Sequence, residues 1–405
     1  MNGLFDALAG AEGSLLLAAF LIYCTGFILF GAAVAGRVKW DQAAFLLTSA
    51  GFVCHLLFFF SRWYRSGHIP TSNMYEFMTF LAMMTVFAVL VLFLLYRAPV
   101  LGAFGLPVGI VILAFASVFP KEITPLIPAL QSHWLAIHVT LAASGEAFFA
   151  VGFAGGLMYL IRTIDFGSFE DRWKRRGVEF ILFALLAVTG FAGSFFGFQA
   201  AGFRAVFEIP SAAPDRQTTE SVYVLPPLIT PHNGTYKEGS VFLGAENGLL
   251  QAPGWMKGVQ AGRKLNTVLW SLAAGGLLYA GLRKAARRPL GAVVQPILHR
   301  MDPEDLDEIA YRSIAIGYPV FTLGALIFAM IWAHEAWGRF WGWDPKEVWA
   351  LITWLFYAVY LHLRLSRGWQ GEKSAWLAAV GFIIVMFTLI GVNLVITGLH
   401  SYAGV

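Results

Sequence analysis

Residues 336–351 read AWGRFWGWDPKEVWAL. The stretch holds four tryptophans, a phenylalanine and charges of both signs, and its end enters the apolar run 348–365. The second half of the stretch has the composition of a helix start. Asp344 suits the N-cap, Pro345 the first helical position, and Glu347 the third, where a capping box puts its acid. A helix that begins there and stays apolar through residue 365 approaches the roughly 20 residues needed to cross a bilayer. The first half is different. Trp337, Phe340, Trp341 and Trp343 fall within seven residues, which predicts a loop of flat apolar faces at the mouth of a membrane helix.

The same kind of run recurs from end to end. Of 405 residues, 58% are hydrophobic and only 13% charged. A soluble chain of this length needs far more charge to cover its surface. Apolar segments are read at 14–36, 42–61, 74–96, 102–119, 134–161, 178–197, 265–282, 314–332, 348–365 and 375–397. The expectation is an all-α, polytopic helical membrane protein of about ten transmembrane helices. Its net charge of +4 then bears on orientation in the bilayer, and no nucleic-acid partner is expected. Cys24 and Cys54 lie inside apolar runs and no CxxC exists, so thiol redox chemistry is not expected. The first run has Asp6 and Glu12 before it rather than a basic leader, so no cleaved signal peptide is expected.

Basic residues set the orientation. Arg37 and Lys39, Arg97, the stretch 162–176, the stretch 283–288 and the stretch 364–373 fall in every second connection, which would be cytoplasmic. The loops 62–73, 120–133, 200–263 and 333–347, with both termini, would then be extracytoplasmic. Three regions follow: 1–199 with six helices, a small extracytoplasmic insertion at 200–263, and 264–405 with four. The insertion contains SVYVLPPLITPHNGTYKEG, which reads as short strands and turns. The stretch RMDPEDLDEIAYRS (300–313) reads as a separate short acidic amphipathic helix.

The histidines divide by depth. His138 lies in the first turns of a helix entering from outside, and His400 follows the last span at the same face. His362 lies near the cytoplasmic end of its helix, about 27 Å from Asp344 at 1.5 Å per residue. One ligand at the tryptophan loop cannot also reach it, so two sites are expected. Ordinary aromatic belts scatter their rings around a protein, whereas a local cluster suits a large flat ligand. Imidazole ligates haem iron, and His138 with His400 beside the loop matches a bis-histidine haem site. Arg339, Lys346, Arg62 and Arg65 are positive on the face where positive charge is normally sparse. Haem propionates or simple snorkelling would account for them. His55 reads as a packing or hydrogen-bonded histidine. His68 is open between the two, and His133, His232, His299 and His334 have no pattern around them.

These residues carry a family resemblance. WAHEAWGRFWGWDPKEVWALITWLFYAVYLHLR (332–364) resembles the WWD signature of the CcsA (ResC-type) cytochrome c-assembly proteins, shared more loosely with CcmC and CcmF. WLAIHVT (134–140), GVNLVITGLHSYA (391–403) and RWYRSGHIPTSNMYE (62–76) resemble three further landmarks. The resemblance implies a haem b at the outer face with His138 and His400 as axial ligands. Trp337, Arg339, Phe340, Trp341, Trp343 and Asp344 would hold it and orient it for reaction. It implies that His362 ligates a second haem whose other ligand comes from a CcsB (ResB-type) membrane partner. It further implies location in the plasma (bacterial inner) membrane, and a role as haem exporter and holocytochrome c synthase subunit acting on apocytochromes with CxxCH. Two alternatives stand beside it: a CcmC-like haem-delivery chaperone that forms no thioethers, and an electron-transfer subunit with permanent bis-histidine haems. The insertion 200–263 matches no motif of the family, and His334 stands where a polar amide is expected.

Overall fold

Among the described residues, ten helices are long and apolar enough to cross a membrane: α1 Glu12–Val34, α2 Trp40–Ser66, α3 Met74–Tyr96, α4 Pro99–Ala116, α5 His133–Thr163, α6 Arg172–Ala200, α7 Ala261–Ala286, α8 Pro303–Trp337, α9 Pro345–Arg367 and α10 Glu372–Gly391. The chain is an all-α multi-pass membrane protein. Its structure is a computed structural model that describes residues 10–36, 40–119, 121–123, 126, 130–210, 218–242, 244, 248–254 and 261–392. Arg37, Lys39 and His400 lie outside the described residues.

Each apolar run lies largely within one helix, and α3 coincides with its run at both ends. The instructive difference is α8. The acidic stretch 300–313 is not a separate surface helix. Asp302 caps it by accepting from the Glu304 N–H at 2.9 Å, Pro303 opens it, and the helix runs on to Trp337. Acidic residues are tolerated there because two of them have a partner. Asp307 and Glu308 accept from Arg364 of α9 at 2.7 and 3.3 Å. Midway, at Thr322–Phe328, α8 widens into a π-helical segment.

The chain forms two compact units. One takes the described residues up to Val178 and from Gly291 onward; the other is Glu179–Leu290. In the first, α5 is the central element and packs on α8, α10, α3 and α4. From Ala142 to Leu157 every residue of α5 is buried. Small residues make this possible, since helices in lipid associate by close backbone approach. A Cβ on Gly145 would lie 2.7 Å from the Phe321 backbone, and one on Gly324 would lie 2.2 Å from the Ala142 nitrogen. The α5–α8 pair therefore depends on those two glycines. Aromatic stacking joins α5 to α9 through Phe149 and Tyr357 (3.7 Å) and to α10 through Phe153 and Phe382 (4.7 Å).

A buried ion cluster ties the start of the unit together. Arg62, only 2% exposed, donates to Glu76 (2.9 Å), Glu12 (2.9 Å) and the Lys121 carbonyl (2.8 Å). Arg65 also pairs with Glu12. The expectation for these arginines is corrected here. Arg62 neither snorkels nor waits for an external carboxylate, because α1 and α3 supply its anions. Glu76 in turn accepts from the Ser72 N–H (3.0 Å) and hydroxyl (2.7 Å), which fixes the 71–73 loop. His55 is buried with Nδ1 3.2 Å from the Tyr23 hydroxyl, as a hydrogen-bonded packing histidine.

In the second unit, the insertion forms the expected short strands. β1 Ala205–Pro210 is central in an antiparallel sheet with β2 Thr218–Tyr223 and β3 Thr235–Gly239. Ala205, Phe207 and Tyr223 form its small core. The Asn266 side chain of α7 accepts from the backbone N–H of Leu228 (2.8 Å) and Ile229 (3.2 Å) and donates to the Pro226 carbonyl (3.1 Å). Trp270 also donates to that carbonyl, at 2.8 Å.

Candidate functional site

The 71–77 segment, the start of α5, the end of α8 and the start of α9 surround one cavity. Its volume is about 190 Å³, and it opens to the surface at its mouth. Its walls include His138, Phe321, Trp332, Phe340, Trp341 and Leu389. Three stretches singled out in the sequence thus converge on one space.

His138 is oriented by its neighbours. The Gly324 carbonyl lies 2.9 Å from Nδ1. A carbonyl only accepts, so Nδ1 carries a proton; in the neutral ring the lone pair is then on Nε2, the form in which imidazole ligates metal. The ring also stacks on Trp332 at 5.9 Å and 12°. Gly324 reaches His138 for two reasons. It has no side chain to hold α8 off α5, and it sits in the π segment, where the ladder is reset and the Ala329 N–H bonds back to it. Isolated π segments inside α-helices recur at functional sites. The segment is held from α9 by Trp354, whose indole N–H donates to the Thr322 hydroxyl at 2.9 Å.

The loop between α8 and α9 is built from its ends. Gly338 closes α8 in the left-handed conformation, and its N–H bonds the His334 carbonyl at 2.9 Å. Asp344 caps α9 by accepting from the Lys346 N–H at 3.3 Å, completing the capping box with Glu347. The Glu347 carboxylate gathers the N–H groups of Gly342 (2.7 Å) and Asp344 (3.2 Å). Phe340 stacks on His334 at 4.3 Å, which gives that histidine a packing contact. Trp341 and Trp343 meet edge to face at 6.1 Å. Trp343 adopts φ +57, a left-handed backbone that is costly for a tryptophan.

The predicted site residues separate. His138, Phe340 and Trp341 line the cavity together. Trp337, Arg339 and Trp343 are exposed beside it, and Asp344 is buried behind it as the cap. His362 is exposed near the far end of α9. The cavity thus offers an imidazole nitrogen and flat aromatic rings within mainly apolar walls.

Residues 71–207 and 278–400 match the family described as cytochrome C assembly protein. The cytochrome c biogenesis protein CcsA of Prochlorococcus marinus (strain NATL1A) is 33% identical over 394 residues, covering 96% of this chain and 93% of that one. The protein of the same name from Gloeobacter violaceus is 33% identical over 347 residues, covering 84% and 80%. That of Porphyra purpurea is 29% identical over 394 residues, covering 94% and 96%. The chain belongs to the CcsA family of cytochrome c assembly proteins.

Its role is therefore in cytochrome c biogenesis, in a system that handles haem and apocytochrome. The two segments that match the family model contain His138, His362, His400 and the loop residues 337–344, while 208–277, with most of the strands, lies between them. Three contributors to the cavity escaped the sequence reading. Trp332 and Gly324 look like ordinary members of an apolar run. Glu146 lines the cavity from inside α5. A lone carboxylate within an apolar helix is a legible signal, because such groups are costly in a membrane.

Proposed function

We propose that this CcsA-family chain carries haem across the plasma membrane and presents it at the extracytoplasmic face for covalent attachment to apocytochrome c. The single observation that carries this reading is the cavity holding His138 with its Nδ1 proton committed to Gly324. Haem is cargo and substrate here, and it supplies an iron for axial imidazoles and vinyl groups that become thioethers. His138 and His400 would be the axial ligands of the outer haem b. Phe340 and Trp341 would cover its face and exclude water, while Asp344 and Glu347 hold the loop in shape. Trp337, Arg339 and Trp343, exposed at the mouth, would meet the incoming CxxCH peptide.

His362 would contribute one ligand to a second haem near the cytoplasmic end of α9. Its exposure leaves room for a histidine from a CcsB-type partner. The protein's contribution is mainly orientation, the conversion of a bimolecular encounter into a positioned one. Both termini and the loop would face outward, in keeping with the basic connections.

The deciding experiment is co-expression of this chain with a CcsB-type partner and a CxxCH apocytochrome, in cells lacking other maturation machinery. Covalent haem on the apocytochrome is expected, with His138→Ala abolishing it. Normal maturation by the His138→Ala protein would overturn the reading.

A further inference from the structure

Two side chains of opposite charge line the cavity, and neither makes a side-chain hydrogen bond or ion pair among the described residues. Glu146 of α5 is 5% exposed, and its Oε2 is buried without a hydrogen bond. Lys346, in the first turn of α9, faces the same space, and its ammonium takes part in no ion pair of the described residues. The two are near enough for each to act on the other's charge. Asp344 also acts on Lys346, but its carboxylate is already engaged as the cap of α9. Around them the walls are apolar, with Ala142, Phe321, Ala325 and Leu389. Charged groups held in such surroundings are expensive, and in membrane proteins they mark ligand and ion sites.

A ligand that suits this space brings an anion for the ammonium and a broad apolar body for the walls. A vinyl-bearing tetrapyrrole dicarboxylate is such a molecule, with its carboxylates on one edge and its vinyl groups on the opposite half. We propose that Lys346 anchors one carboxylate of the tetrapyrrole and that Glu146 is the counter-ion it exchanges for that carboxylate. The macrocycle then has its carboxylate edge at the first turn of α9 and its vinyl-bearing half turned away from it. This rests on the outer-haem reading above and adds the direction in which the ring lies.

The test is equilibrium binding to the purified full chain, read by absorbance and tryptophan quenching. Haem, mesohaem (vinyls reduced, carboxylates kept) and haem dimethyl ester (carboxylates blocked) are compared, with the His138→Ala protein as the baseline for other sites. Wild type is expected to bind mesohaem about as well as haem and the ester about tenfold more weakly, the scale of one charge-assisted contact. Lys346→Met should bind haem as weakly as the ester and no longer tell them apart, and Lys346→Arg should restore the difference. Glu146→Gln should tighten haem and leave the ester unchanged, a gain that loss of packing does not produce. Equal binding of haem and ester by wild type, or discrimination surviving in Lys346→Met, overturns the anchor and leaves the haem site standing. Absence of any His138-dependent binding overturns both.

Discussion

His138 and His362 sit on spanning helices of the same unit, and their surroundings differ in kind. His138 has its tautomer set by the Gly324 carbonyl, its ring laid on Trp332, and a cavity before it. His362 is exposed on α9 and makes no hydrogen bond, ion pair or ring contact among the described residues. Two positions along, Arg364 is buried in contacts with Asp307, Glu308 and Ser374, so the helix is well packed on its other face. On the proposed reading, the contrast is between two ways of building half of a ligand set. One is pre-oriented inside the chain by outer-shell contacts of the sort that accompany metal-bound histidines. The other is an exposed imidazole that would become a defined site only when a second surface meets it.

Variants at the two ends test that contrast. The largest effect is expected from His138→Ala, with loss of essentially all haem from the cavity and of cytochrome c maturation. Partial recovery in free imidazole, measured by absorbance, would identify the vacated axial position. If His138→Ala keeps full haem content, the pre-oriented half is not a half-site at all. The same measurement applies to His400→Ala. Next comes Gly324→Ala. A methyl group 2.2 Å from the Ala142 nitrogen must push α8 from α5 and carry the carbonyl away from His138. Overpacking of this kind costs about 1–3 kcal/mol or more. Cavity haem should fall at least about tenfold, since 1.4 kcal/mol is one decade, and an unchanged haem spectrum would break the link from glycine to histidine.

His362→Ala should leave the isolated chain unaltered in cavity haem and in thermal stability, because an exposed side chain without partners contributes within about 0.5 kcal/mol. In the complex with a CcsB-type partner it should remove one haem. A stable six-coordinate second haem in the isolated chain would instead call for an internal mate, with His55 to be tested first. A smaller effect is expected from Asp344→Asn. Asn caps almost as well as Asp, while loss of a cap altogether costs about 0.5–2 kcal/mol. Protein accumulation should hold and maturation should fall further than accumulation does; equal reductions would reduce Asp344 to a cap.

Much of this was legible in the sequence because lipid imposes simple rules. Apolar runs locate all ten helices, and Asp344-Pro345-Lys346-Glu347 writes the start of α9 in cap residues. The motif residues His138, Phe340 and Trp341 do share a cavity. What the sequence could not give is pairing at a distance. Arg62 looks like an unexplained outer charge until Glu12, 50 residues earlier, and Glu76, 14 later, are seen against it. The acidic stretch at 300–313 looks solvent-facing because Arg364 is far along the chain. Gly324 carries no local mark of its role, since close approach and a carbonyl aimed at a ring belong to the packed pair of helices. The π-helical segment likewise has no pattern that distinguishes it from the α-helix on either side.

The left-handed backbone at Trp343 has a consequence for anyone who would redesign this protein. An L-residue in that conformation gives up about 1–2 kcal/mol, and glycine would adopt it at no steric cost. The indole is 70% exposed, and its edge-to-face contact with Trp341 returns only about 0.5–1.5 kcal/mol. A consensus or computational search for thermostability would therefore accept glycine at position 343. Trp343→Gly is expected to leave the melting temperature unchanged or slightly higher while maturation declines. Selection for robustness and selection for work pull in opposite directions at this residue, as in other stability–activity trade-offs.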